Sequence, residues 1–355
     1  MKDRVYVCHT YYHAYIAVVK ELNMPKEWRG AATLILSTMS NDFENMDKRA
    51  IASGLFEDVL LFDEQVDNSS PAVMKYHKDR GNTFLNLLQR VIYTKKLGAL
   101  QKPYVPVDFR EYKDIYVFCD SDPIGYYLNY MRILYHAVED GLDTVVYHDS
   151  ARTSNTGHFA LKAWMAAHNL IFIENGYSKY CIDMELNDKS KLKYPMEFYK
   201  ELPREKLISG VAEEDKKIIL KIFMEDADRL LEQMAQADLS KPSIMVLTEP
   251  LCELDVRRKL FSDIVQEYGA GANVFIKPHP RDLLDYEEVF EDAIVLKGRF
   301  PMEVMNDIPG LKVDKLISVF TVVDAIKFAK EKIFLGEDFM DKYEDPAIHR
   351  PNETI

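Results

Sequence analysis

The sequence predicts an α/β fold in two units, each a parallel sheet covered by helices. Three observations carry that expectation. Apolar runs of strand length alternate with stretches of helical periodicity. The alternation stops near Ser150 and restarts near Ser243. The chain has 355 residues, enough for two domains of ordinary size. Strands alternating with helices favour a parallel sheet with helices on both faces.

In the first unit Arg4–Thr10, Ala31–Met39, Asp58–Phe62 and Asp114–Cys119 read as strands, with Ile133–Ala137 a fifth. A helix over Tyr12–Leu22 separates the first two strands, and one over Asn82–Lys96 precedes the fourth. From Ser150 to Leu239 the pattern becomes helical and charged. Glu213–Gln236 carries Ile218, Ile219, Ile222 and Phe223, then Leu230, Leu231 and Met234, so one amphipathic helix is expected there. Strands then return at Ser243–Leu247, Ala272–Ile276, Ile294–Leu296, Lys315–Phe320 and Lys332–Leu335. Helices are expected over Asp255–Tyr268 and Val322–Lys330, with a short one from Met302. The domains so read are residues 1–239, with a helical linker region, and 240–355, with a polar tail after Gly336. Two Rossmann-like units facing each other suggest a ligand in the cleft between them.

Composition narrows the function. Hydrophobic content of 47% with 29% charged residues is that of a soluble globular protein. No stretch approaches the roughly 18 apolar residues of a membrane span. Met1-Lys2-Asp3-Arg4-Val5 runs straight into a strand, so no signal peptide and a cytoplasmic location are expected. Cys8, Cys119, Cys181 and Cys252 lack CxxC spacing, which argues against a disulfide framework or a zinc site. The formal charge of −13 argues against a nucleic-acid binder. No Gly-x-Gly-x-x-Gly follows the first strand, and no Walker-type loop is present.

The residues with chemistry to offer lie at element ends. Lys277-Pro278-His279-Pro280-Arg281-Asp282 closes the run Ala272–Ile276. A histidine held there between two prolines, at the carboxyl end of a strand, is suited to acid–base work. Glu139-Asp140-Gly141 closes the fifth strand as a tight acidic turn, with one acid pointing into the cleft and the other into the turn. Glu303 follows Pro301 in a helix first turn, where its carboxylate could accept helix N–H groups or ribose hydroxyls. Ser318 and Thr321 stand where a strand hands over to a helix, a place suited to an anion or to plain capping.

Taken in order, these motifs resemble the bacterial sialyltransferases of the GT-B type: glycosyltransferase family 52 and the capsule polysialyltransferases. Thr10-Tyr11-Tyr12-His13 after the first strand and Thr248-Glu249-Pro250-Leu251 at the start of the second unit belong to the same resemblance. It implies transfer of sialic acid from CMP-sialic acid to a glycan hydroxyl, with inversion and without a metal or other cofactor. The base falls on Glu139 or Asp140, with Glu139 favoured and Asp140 ordering the turn. His279 protonates or hydrogen-bonds the departing phosphate, Glu303 holds the ribose, and Ser318 and Thr321 hold the phosphate. Lys277, Pro280 and Thr248 complete the CMP-sugar side, while Thr10 and His13 lie on the acceptor and donor-sugar side. The sequence departs from the family in two places. Asp120-Ser121-Asp122 has metal-ligand spacing, and Thr321 is followed by Val322 rather than a second hydroxyl residue.

Other readings keep the fold and change the role: another CMP-activated nonulosonic acid or Kdo, a UDP-sugar donor, or a non-catalytic binding protein. The expected partners are a CMP-sugar donor and a glycan acceptor of capsule or lipooligosaccharide type, with no nucleic acid. A peripheral contact with the inner membrane face, offered by Lys189, Lys191 and Lys193, and a homodimer stay open.

Overall fold

The computed structural model describes residues 1–141, 145, 149–190, 192–238, 240–279, 282–321, 323 and 326–345. By packing, the chain divides into two compact units, Met1–Asp215 and Lys216–Ile355. This division lies earlier than the boundary expected after residue 239, so helix Ala227–Gln236 belongs to the second unit.

The first unit holds seven strands: β1 (Lys2–Cys8), β2 (Ala32–Ser37), β3 (Asp58–Phe62), β4 (Tyr112–Phe118), β5 (Tyr135–Val138), β6 (Cys181–Leu186) and β7 (Tyr199–Glu201). Their order is β3-β2-β1-β4-β5-β6-β7, and the pairings are parallel. β2 is buried throughout and β1 from Arg4 onward, as parallel strands covered on both faces are. Val5, Val7, Ile35, Val117, Tyr135 and Ala137 form the centre of the core. Each large side chain among them contributes about 1.5–3 kcal/mol by leaving water.

The second unit holds β8 (Ser243–Leu247), β9 (Asn273–Lys277), β10 (Ile294–Val295), β11 (Val313–Ser318) and β12 (Ala329–Phe334). They pair in parallel in the order β10-β9-β8-β11-β12 around Ile244, Val246, Phe261, Ile264 and Ile317. In each sheet the strand order reverses beside the first strand of its unit, between β1 and β4 and between β8 and β11. A reversal of that kind leaves a crevice at the strands' carboxyl ends, where α/β sheets bind ligands.

Three expectations need correction. The stretch expected to be helical after Ser150 also supplies β6 and β7. Cys181-Ile182-Asp183-Met184-Glu185-Leu186 alternates apolar and polar residues, as a strand near a sheet edge does. The single helix over Glu213–Gln236 is two, Glu213–Phe223 and Ala227–Gln236, because the chain leaves helical geometry through Met224–Asp226. Ala329 and Lys330, expected at a helix end, begin β12 instead. Of the residues before them, Val322, Asp324 and Ala325 lie outside those described, as do Pro280, Arg281 and Lys191.

Candidate active site

At the carboxyl edge of the first sheet, β1 passes through His9 and Thr10 into helix Tyr11–Leu22. Thr10 caps that helix, its Oγ1 accepting the His13 N–H at 3.1 Å. His13 is thereby fixed in the first turn, 1% exposed, with its ring stacked on Phe118 at 5.0 Å. Its Nδ1 accepts the His9 N–H at 3.1 Å. The ring proton therefore sits on Nε2 and is donated to Asp140, with Oδ1 at 2.5 Å and the carbonyl oxygen at 2.9 Å. Burial lowers the His13 pKa despite Asp140, so the imidazole is neutral. The hydrogen bond from His13 in turn holds Asp140 below the usual carboxylate range.

The two acids of the turn differ in exposure, and it is the second, not the first, that faces outward. Glu139 is 2% exposed. Its Oε2 accepts the Asn187 N–H at 2.7 Å and its Oε1 the Val145 N–H at 3.3 Å. It braces the chain beyond β5 and β6. The Asp140 side chain is 47% exposed and is the carboxylate a substrate could reach.

His9 and Glu64, which nothing in the sequence singled out, join this edge together with Asp122. Glu64 accepts hydrogen bonds from His9 Nε2 at 2.8 Å, Ser37 Oγ at 2.7 Å and the Ile124 N–H at 2.5 Å. It thus ties together the ends of β1, β2 and β3 and the start of helix Pro123–Met131. Burial opposes a charge on His9, but Glu64 and Asp122 outweigh it and raise the imidazole to about 9. Burial pushes Asp122 up to about 6. Asp120 turns inward, accepting from the Asn175 N–H and Tyr135 Oη, both at 2.9 Å. The Asp120-Ser121-Asp122 spacing therefore shapes the loop. Gly125 lets the next helix close on that loop, since a Cβ there would lie 2.0 Å from the Asp120 carbonyl oxygen. Among the described residues no group of three or more His, Cys, Asp or Glu is arranged to hold a metal.

The carboxyl edge of the second sheet is built differently. Thr248, after β8, donates from Oγ1 to Asp282 at 2.9 Å and accepts the His279 N–H at 3.2 Å. Asp282 also takes Arg257 at 2.6 Å and Tyr286 Oη at 2.8 Å, so the His279 loop is clasped at its base. Lys277, 3% exposed, ends β9 with its Nζ donating to the Pro278 carbonyl at 2.9 Å and lying 4.0 Å from the Phe300 ring centre. Burial lowers its ammonium to about 7. Glu303 follows in the 3-10 turn Met302–Asp307, and burial raises its carboxyl above the usual range.

Ser318 and Thr321 are taken up by the protein itself. The Ser318 hydroxyl donates to the Thr321 carbonyl at 2.8 Å. Glu249, 4% exposed, accepts the Phe320 N–H at 2.9 Å, the Thr321 N–H at 2.5 Å and the Thr321 hydroxyl. A carboxylate of the chain thus sits on the donors expected to hold a phosphate. Thr248-Glu249 was legible as a motif, but this pairing was not.

Three comparisons bear on this arrangement. A model of glycosyltransferase family 52 matches residues 64–336. An uncharacterized protein of Haemophilus influenzae is 32% identical over 126 residues, 34% of this chain and 38% of that one. The match thus spans well under half of that relative's length. A sialyltransferase from Photobacterium damsela is similar in fold, with a TM-score of 0.50, 11% identity, and coverage of 93% of this chain and 73% of that one. An α/β-galactoside α-2,3-sialyltransferase from Photobacterium phosphoreum gives a TM-score of 0.49, 11% identity and coverage of 93% and 89%. The α/β architecture of two parallel sheets is that of GT-B glycosyltransferases.

Proposed function

Because this chain belongs to glycosyltransferase family 52, we propose that it moves sialic acid from CMP-sialic acid to a glycan hydroxyl by direct displacement. The observation that carries the reading is the exposed Asp140 carboxylate, bonded by neutral His13 at the strand-order reversal of the first sheet. Asp140 accepts the acceptor hydroxyl proton as the new C–O bond forms on the anomeric carbon. The bond from that carbon to the CMP phosphate oxygen breaks on the opposite face, so the configuration inverts. A pKa held below the usual range keeps Asp140 ionised across the neutral region, at the cost of some basicity.

The leaving phosphate gains charge as it departs. His279 supplies a proton or a hydrogen bond, and Lys277 supplies an ammonium from a side chain that is itself almost wholly buried. Charge placed there before the reaction begins is worth far more than in solvent. Positioned carboxylate and imidazole groups account for the chemistry without a metal. The acceptor is a capsule- or lipooligosaccharide-type glycan met at the inner membrane face, a reading that rests on the family. Among the described residues no helix is long and apolar enough to cross a membrane.

The test is CMP release from CMP-sialic acid in EDTA, with and without a panel of galactose-terminated acceptors. Wild type, Asp140→Asn and His279→Ala are compared. Acceptor-stimulated release that survives EDTA and falls at least about a hundredfold in both variants is the expected result. No release and no CMP binding by wild type would overturn the donor assignment.

A further inference from the structure

A second polar site lies in the first unit, away from the residues given roles above. Tyr76, Arg90, Tyr93, Tyr126, Asn155 and Glu174 line a cavity of about 510 Å³. That volume is within the range of about 300–1,000 Å³ usual for small-molecule sites. Ser121 also lines it, so the cavity opens beside the loop that carries Asp122.

Two of its oxygen groups lack donors. Glu174 is 8% exposed, yet no hydrogen bond or ion pair from the described residues reaches its carboxylate. Asn155 is fully buried, and its Oδ1 has no partner while its Nδ2 donates to the Ala151 carbonyl at 2.7 Å. Burying an amide oxygen without a donor costs stability, and such groups are ordinarily satisfied, whereas the Glu174 oxygens are not among the buried unpartnered atoms and stay open to the cavity. The fold holds Glu174 there firmly, because the next residue, Asn175, is anchored through its N–H to Asp120. The aromatic wall is equally fixed. Tyr93 Oη donates to Asp67 at 3.0 Å, its ring meets Tyr126 edge-on at 6.0 Å, and Tyr126 packs on Phe172 at 4.5 Å. Arg90 is tied by one nitrogen to the Phe172 carbonyl at 3.1 Å, leaving the rest of its fork for a ligand.

We infer that this cavity is a binding subsite for a polyhydroxylated ring, a sugar of the acceptor beyond the one that reacts. A ligand suited to it must bring hydrogen-bond donors to Glu174, an acceptor to Arg90, and C–H surface to the tyrosines. A pyranose carries all three in one small ring. The role of that sugar as part of an acceptor rests on the transferase reading; the binding itself does not.

The test uses the full chain and a panel of neutral di- and trisaccharides ending in galactose, glucose or N-acetylglucosamine. Binding is read by saturation-transfer NMR for wild type, Glu174→Ala and Arg90→Ala. Wild type should bind at least one member, and each variant should weaken it at least tenfold. The melting temperature of Glu174→Ala should stay close to that of wild type, because no hydrogen bond from the described residues to its carboxylate is lost. In the CMP-release assay both variants should raise the acceptor KM at least tenfold for a disaccharide and leave a methyl monosaccharide unaffected. The donor KM and acceptor-free CMP release should stay within twofold of wild type. Saccharide binding lost in the variants while wild type releases no CMP would sustain the subsite and reject the donor assignment. Binding of no saccharide by wild type, or equal binding by all three proteins, would overturn the subsite.

Discussion

The carboxyl edges of the two sheets arise from the same strand-order reversal, yet they hold charge in contrasting ways. At the first, titratable groups neutralise one another. His9 pairs with Glu64 and Asp122, and neutral His13 donates to Asp140, leaving one carboxylate in reach of solvent. At the second, Lys277 is buried with a carbonyl and an aromatic ring for company, and the backbone donors after β11 are closed by Glu249. In the proposed reaction the first edge would move a proton and the second, through Lys277, would receive an anion. One topology thus presents two arrangements of charge, decided by which side chains end its strands.

Substitutions that break this division should differ most at the turn after β5. Asp140→Asn should lower acceptor-dependent turnover about 10³-fold with an unchanged melting temperature. Glu139→Gln should instead lower the melting temperature, since one buried N–H acceptor is lost at about 1–3 kcal/mol. Equal losses of turnover per folded molecule in both variants would erase the distinction between the acids. His279→Ala should lower turnover about 10²-fold, a loss that a better leaving group on the donor would partly restore. His13→Ala sharpens the comparison with a smaller effect. Without its hydrogen bond the Asp140 pKa rises, so the acid limb of the pH–rate profile should move to higher pH. A limb that stays in place would separate His13 from Asp140.

The smallest expected effect is on stability. His9 has a folded-state pKa of about 9, raised from an ordinary 6.5. Its stabilisation is therefore fully present below pH 6.5 and lost as pH rises through 9. His9→Gln should flatten the fall of melting temperature across that window. An unchanged pH dependence would remove His9 from the account.

How far the sequence could be read follows from range. β1, β2, β8 and β9 were plain because each is buried by its own apolar run, a local property. β6 and β7 were missed because polar residues alternate in β6 and β7 has three residues, too few to show a period. Lys277, His279 and the acidic turn stood out because their chemistry sits in one short segment. Which acid of the turn is buried was not legible, since it depends on Asn187 and His13, both distant in sequence. Glu64 was invisible for the same reason: its partners are His9 just after β1, Ser37 in β2 and Ile124 in the helix after β4.

Lys277 has a consequence for the heat of binding. With an ammonium that titrates near 7, much of the population above neutrality carries no charge there. A phosphate dianion favours the charged form, so its arrival draws a proton from the medium. Calorimetry of CMP binding at pH 8 should then give apparent enthalpies that differ between Tris and phosphate buffers in proportion to their ionisation heats. In Lys277→Met the difference should vanish. The cation that meets the nucleotide would be completed by the solvent at the moment of capture.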